Sequence, residues 1–293
     1  MRARTPADRG TELVGPGARL APAGDQGQRA GVAGEPDGAL TWSHAEAVMG
    51  TTVSFAVHAA PGQEDLTTQT VEDAIAVACA ELHRLDALFS TWDPCSPMSA
   101  LRRGDGAAAA RHPEFDEVFA VASAMREATA GWFDPWAMPG GVDPTGVVKG
   151  WAVERAIRLL AHAGVASAVV NGGGDVATIG VPPGGGPWRI GIRHPWRADA
   201  LACVLAVSSA VATSGSYERG SHLVDPHTGA TVRRVASASV VGSSLTHADA
   251  WATALAVGGD EVFDRVTSLP GYGAYVISPE GHERSGGELV TCT

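Results

Sequence analysis

The stretch AVVNGGGDVATIG, residues 168–180, decides the fold class. Ala168–Asn171 reads as a strand, and the glycines after it stand where a parallel nucleotide-binding fold would carry its phosphate loop. They lack the G-x-G-x-x-G spacing, and no P-loop lysine follows them. A dinucleotide fingerprint and a P-loop are therefore both unsupported, and a tight turn is the simpler reading. Working outward, strands are expected at Met49–Ala59, Trp188–Arg193, Ala202–Val207, Ala236–Val241 and Gly273–Ser278. Helical spacing of apolar residues marks Val71–Leu88, Phe115–Thr129, Val148–His162, His247–Val257 and Glu261–Ser268, with Thr70 and Asp73 as a capping box for the first. These elements alternate without a regular strand–helix–strand period, which favours an α+β fold over a doubly wound sheet.

The chain has 293 residues, 45% of them hydrophobic, enough to bury a sizeable core. Residues 1–40, rich in Gly, Pro, Ala and Arg without periodicity, read as a disordered tail, and the folded domain as residues 41–293. A formal charge of −11 argues against binding the backbone of a nucleic acid or an anionic membrane. Cys79, Cys95, Cys203 and Cys292 show no paired spacing and read as ordinary thiols. Neither a signal-type segment nor a membrane span is visible, so the expected location is the cytoplasm. Lys149 is the only lysine, against twenty arginines. It is either a chance survivor or a place that needs a compact ammonium rather than a planar fork.

Four polar, glycine-bearing segments with apolar flanks are candidates for chemistry: Phe89–Asp105, Asp143–Ala156, Thr213–Gly229 and His247–Gly259. In the last, Asp249 and Thr253 lie four apart on an expected helix and point to one side. A carboxylate and a hydroxyl are hard ligands suited to Mg2+, although an aspartate near a helix start also answers the helix dipole without any metal. His222, beside the turn-forming DPHTG, could act as a general base or be a structural histidine. Position alone leaves both open.

Read together, these segments resemble the ApbE family of FAD:protein FMN transferases. The resemblance rests on Met49-Gly50-Thr51, on Phe89-Ser90-Thr91-Trp92 with the serines after it, and on the G-x-F-D step at Gly131–Asp134. It continues through D-x5-K-G at Asp143–Gly150, N-x-G-G-D at Asn171–Asp175, T-S-G at Thr213–Gly215, H-x-x-D-P-x-T-G at His222–Gly229 and A-D-A-x-A-T-A at Ala248–Ala254. Ser216 stands where the family commonly has aspartate, Trp136 where it has threonine, and Gly146 where it has a residue such as alanine.

The resemblance implies an α+β fold of mixed sheet and helices, with an FAD cleft between subregions and Mg2+ on the FAD pyrophosphate. Asp249 and Thr253 would ligate the metal, with main-chain oxygens of Gly146 and Ala252. Met49, Trp92, Trp132, Phe133, Asp134, Asp143, Lys149, Leu223 and Val224 would contact the flavin or adenine, and His222 would take the proton of an attacking hydroxyl. The implied activity is transfer of FMN from FAD to a threonine or serine of an acceptor protein with an FMN-binding domain, releasing AMP. The alternatives are an FAD pyrophosphatase giving FMN and AMP, and a flavin-binding or flavin-delivery protein without turnover.

Overall fold

The computed structural model describes residues 12–13, 31–34, 40–60, 62–63, 65–215 and 223–292. The expected α+β class holds. The quoted stretch folds as an antiparallel hairpin, β5 (Ala168–Gly172) and β6 (Asp175–Ile179), in which Gly172 faces Asp175. The two residues between them, Gly173 and Gly174, both have positive φ, 61° and 102°. Such a turn matches the twist of the flanking strands and is open mainly to glycine. The Asn171 side chain ties the turn by accepting from the Gly174 amide at 2.9 Å. The glycine cluster is thus a tight turn, and its job is to deliver Asp175 into the interior.

Around this hairpin a nine-stranded sheet is laid out. Its chain order starts with β2 (Gly31–Gly34), β3 (Leu40–Val48), β4 (Thr51–His58), β5 and β6, and continues with β9 (Ala210–Ser214), β10 (Ser237–Gly242), β11 (Gly273–Ile277) and β12 (Glu283–Gly287). The order across the sheet is β12-β11-β10-β9-β6-β5-β4-β3-β2. A second sheet joins β1 (Glu12–Leu13) to β7 (Trp188–His194) and β8 (Arg197–Val207). Every pairing among the described residues is antiparallel, a stricter arrangement than the mixed sheet expected. Tight hairpins make the β3–β4, β5–β6, β7–β8 and β11–β12 pairs, whereas β4–β5, β6–β9 and β10–β11 pair antiparallel across long connections.

The large sheet is covered on both faces. On one, Val169, Val176, Val211, Tyr275 and Ile277 meet Trp188, Ile190, Ile192, Leu205 and Val207 of the smaller sheet. The other face carries the helices: α1 (Thr68–Phe89), α2 (Pro97–Arg102), α3 (Gly106–Ala109), α4 (Pro113–Ala128), α5 (Thr145–His162), α6 (Leu245–Gly258) and α7 (Asp260–Thr267). No helix of the described residues is long and apolar enough to cross a membrane.

The five expected helices begin and end within three residues of their expected bounds, whereas α2 and α3 were not expected, and the cap of α1 differs. Thr67 is the N-cap and accepts from the Thr70 amide, so the Thr70–Asp73 capping box does not form. Ahead of the expected strand at Met49 lies β3, which the sequence pattern did not reveal. The two strands are joined at Met49 and Gly50, both at positive φ. The Met49 amide donates to Asp86 near the end of α1 at 3.0 Å.

Helix α6 is buried on nearly every side, running between α5 and the strands β9 and β10. An all-round apolar helix of this kind belongs in a core. Its start is clasped by Glu154 of α5, whose Oε2 accepts from Ser244 Oγ (2.8 Å), the Thr246 amide (2.9 Å) and Thr246 Oγ1 (2.6 Å). Burial opposes ionisation of Glu154, yet Thr246, Ser244 and Arg158 together hold its carboxyl below the usual glutamate value. This clasp sets the register of the two helices that carry the candidate site.

Candidate functional site

The helices α5 and α6 approach closely because Gly150 has no side chain. A Cβ there would lie 2.7 Å from the Leu245 carbonyl oxygen and 2.8 Å from Asp249 Cβ. The space so freed lets the Gly150 amide donate to Asp249 Oδ2 at 2.9 Å. One turn away, Gly146 makes the same kind of room: a Cβ there would meet Phe133 Cε2 at 3.0 Å and Thr253 Oγ1 at 3.1 Å. Thr253 Oγ1 lies 3.3 Å from Ser214 Oγ at the end of β9. Phe133, Gly146, Lys149, Asp249 and Thr253, picked from separate segments of the sequence, are therefore neighbours around one junction. Ala252, fully buried, precedes Thr253 on α6.

The electrostatics of the junction are set by a residue that was quoted only as part of a turn. Asp175 is completely buried at the head of β6 and forms an ion pair with Lys149 Nζ. Its other oxygen accepts from the Thr213 amide at 3.2 Å, and Thr213 Oγ1 bonds to Ser239 Oγ at 2.8 Å. Asp249, 2% exposed, sits beside this pair. Its carboxyl is pushed well above the ordinary aspartate value, first by burial and next by the negative charge of Asp175; Lys149 and the Gly150 amide oppose the rise. Two buried carboxyl groups share one ammonium, so burial and the Asp175 charge oppose ionisation of Asp249, and a divalent cation held there would favour its ionised form. The donors are hard oxygens, which suits Mg2+ or Ca2+ better than a soft metal.

A second cluster flanks the first. Trp132 packs edge-on against His227 with ring centroids 4.5 Å apart, and the Arg234 guanidinium lies 5.2 Å from the Trp132 ring centroid. Arg234 also donates to Asp225 Oδ2 at 3.0 Å and to the Val257 carbonyl of α6 at 3.1 Å. Asp225 is buried, which tends to raise its pKa, but the His227 amide, Arg234 and His227 hold it below the usual aspartate value. Leu223 and Val224 precede it, Leu223 buried and Val224 bridged to Thr231. The sequence marked Asp225 only as part of the DPHTG turn and did not single out His227 or Arg234; in the structure His227 and Arg234 pack on Trp132 and Arg234 holds Asp225.

The remaining sequence-derived residues are placed individually. Asp134 is fixed by Arg126 Nε at 2.7 Å and accepts from the Trp136 amide at 2.9 Å. Asp143 accepts from Arg102 Nη1 at 3.1 Å and from the amide of Thr145, the first residue of α5, at 3.1 Å. Trp92, in the turn after α1, is 90% exposed, and its amide donates to Ser90 Oγ at 3.3 Å. Met49 marks the β3–β4 turn. His222 and Ser216 lie outside the described residues.

A model of the ApbE family matches residues 49–140 and 138–276. Among curated proteins, the FAD:protein FMN transferase of Rhodobacter capsulatus is 38% identical over 143 residues, 45% of this chain and 27% of that protein. The FAD:protein FMN transferase of Escherichia coli K12 is 32% identical over 151 residues, 48% of this chain and 43% of that protein. The matched stretch thus spans less than half the length of these relatives. Among solved structures, the ApbE protein of Thermotoga maritima superposes with a TM-score of 0.71 at 24% identity, over 84% of this chain and 97% of that one. The flavin transferase ApbE of Vibrio cholerae does so with a TM-score of 0.70 at 21% identity, over 85% and 97%. These two likenesses establish the shared fold.

Proposed function

Because the chain belongs to the ApbE family, we propose that it transfers FMN from FAD to a threonine or serine hydroxyl of an acceptor protein, with Mg2+ as cofactor and AMP as the second product. The observation that carries this reading is the junction of α5 and α6, where Asp249 and Thr253 offer hard oxygens beside the buried Lys149–Asp175 ion pair. Asp249 and Thr253 would hold the metal, with the main-chain oxygens of Gly146 and Ala252. When bound, Mg2+ would neutralise charge on the FAD pyrophosphate.

Phosphoryl transfer asks the protein for alignment and neutralisation of charge more than for covalent help. Lys149, held on Asp175, contributes a cation on a short leash near the phosphates. Trp132 and Phe133 present aromatic faces to the flavin or adenine, together with Met49, Trp92, Leu223 and Val224 around a cleft. Asp134 and Asp143, each oriented by an arginine, supply acceptors of fixed direction. The acceptor oxygen bonds to the FMN phosphorus as the bond from that phosphorus to the oxygen of AMP breaks. The hydroxyl proton passes to His222, which suits a group whose pKa lies near neutrality.

The test is to incubate the purified protein with FAD, Mg2+ and a domain that accepts FMN, and to weigh the acceptor by intact mass spectrometry. A mass gain of one FMN, absent with Asp249→Ala and strongly slowed with His222→Ala, supports the proposal. Unmodified acceptor with free FMN and AMP would replace it with hydrolysis, and intact FAD would replace it with flavin binding alone.

A further inference from the structure

Between β3 and α1 lie four potential metal ligands that the flavin reading does not use. His44 and Glu46 are two apart on β3 and so share a face. That face is turned toward α1, as the bond from Trp42 Nε1 to Thr68 Oγ1 at 3.2 Å and the Met49–Asp86 bond bracket it at either end. Cys79 and His83 are four apart on α1 and share a face in turn. Ligand atoms of His44, Glu46 and Cys79 all lie within 4.8 Å of one another. His83 Nε2 donates to Glu46 Oε1 at 2.9 Å, and His44 Nε2 to Glu46 Oε2 at 3.3 Å.

We propose that His44, Glu46, Cys79 and His83 form a binding site for a divalent transition metal of the zinc class, tying β3 to α1. Two imidazoles, one thiolate and one carboxylate are a borderline-to-soft donor set that suits zinc and disfavours magnesium or calcium. Bond lengths of about 2.0–2.3 Å at tetrahedral angles put neighbouring ligand atoms about 3.3–3.8 Å apart. The His44–Glu46 separation of 3.3 Å already meets that spacing, and the remaining gaps close by rotation of the exposed His83 and of the partly buried His44 and Glu46 side chains toward Cys79. Cys79 is buried at the floor, whereas His83 is 53% exposed and leaves an entry path. Binding forms one bond each to nitrogen, nitrogen, oxygen and sulfur, and the thiol proton leaves to solvent as the thiolate ligates. The two imidazole N–H groups now spent on Glu46 would turn to the other tautomer or donate elsewhere.

The test uses the full chain, stripped with a chelator and then titrated with Co2+ or Zn2+ in the presence of excess Mg2+, which occupies hard-oxygen sites. One equivalent of Co2+ should give tetrahedral visible bands and a thiolate-to-cobalt charge-transfer band, and Zn2+ should displace it. Cys79→Ser should abolish the charge-transfer band, and His83→Ala, a change at an exposed position, should weaken Zn2+ binding at least tenfold while the fold is kept. Zn2+ should raise the melting temperature of the native chain and not that of either variant. Absence of the charge-transfer band in the native chain, or equal Zn2+ affinity in native chain and His83→Ala, overturns the proposal and leaves the cluster as histidines hydrogen-bonded to a glutamate. Flavin transfer is measured separately with Mg2+ alone, so the two readings fail independently.

Discussion

Replacing Lys149 with methionine tests the electrostatic account of the junction most directly. Lys149 neutralises Asp175, and both face the buried Asp249. Removing one partner of a buried ion pair typically costs about 3–5 kcal/mol, because a charge is left without compensation. The Lys149 side chain is 23% exposed, so water screens part of this and the low end, about 3 kcal/mol, applies. At roughly 2–4 °C per kcal/mol for a domain of this size, the melting temperature should fall by roughly 6–12 °C at pH 8. The loss should shrink as the pH is lowered. Asp249 has a folded pKa raised above its unfolded value, so in the window between them the folded state holds a proton that the unfolded chain has released, and acid favours folding. Without Lys149 that rise is larger and the window wider. Thermal denaturation of both proteins at pH 8 and pH 5.5, followed by circular dichroism, reads the difference. A variant that melts within about 1 °C of the native chain at pH 8, against the size scaling above, or a deficit unchanged between the two pH values, would refute the reasoning.

Gly150→Ala should drive a methyl group into the Leu245 carbonyl and Asp249, destabilising by about 1–3 kcal/mol and displacing the Asp249 carboxylate. Both the melting temperature and FMN transfer should fall, whereas Gly146→Ala, which meets side chains at 3.0–3.1 Å rather than backbone, should do less on the first count; equal melting of the two variants would contradict the close-approach argument. Glu154→Gln should cost about 2 kcal/mol by weakening three charge-assisted bonds to the start of α6. Because the folded pKa of Glu154 is depressed, its contribution is present above the ordinary glutamate value and is lost as pH falls through the folded pKa, so native and variant melting curves should converge in acid. Curves that stay parallel down to pH 3 would remove Glu154 from the stability of this interface.

The long helices were legible where apolar residues recur at helical spacing, as Ile75, Ala78, Leu82 and Leu85 do in α1, whereas the short α2 and α3, of six and four residues, are too brief to show a period. Several strands were not legible either. β6 and β9 are buried almost throughout and only five residues long, too short to show a period. The Thr70–Asp73 capping box was a misplacement of the cap by three residues: the Thr67 hydroxyl reached the Thr70 amide first, and several threonines in a row give the pattern more than one solution.

At the site, the residue types were legible and their partnerships were not. Asp249 and Thr253 were visible as a pair because four residues on a helix is a local relation. Asp175 was not, since its meaning depends on Lys149, twenty-six positions earlier in the chain and joined to it only by tertiary contact. The missed strand β3 carries the same lesson further. Its inward positions are Trp42, His44, Glu46 and Val48, so two of the four residues facing α1 are polar and the alternation that announces a strand is broken. A chain that places a histidine and a glutamate on the inner face of an otherwise ordinary strand gives up apolar burial there, and Cys79 and His83 of α1 meet them from the opposite side. Where local patterning fails against a well-formed element, the conflict points to chemistry rather than to packing. That is why the metal titration belongs on this face of α1 and not only at Asp249.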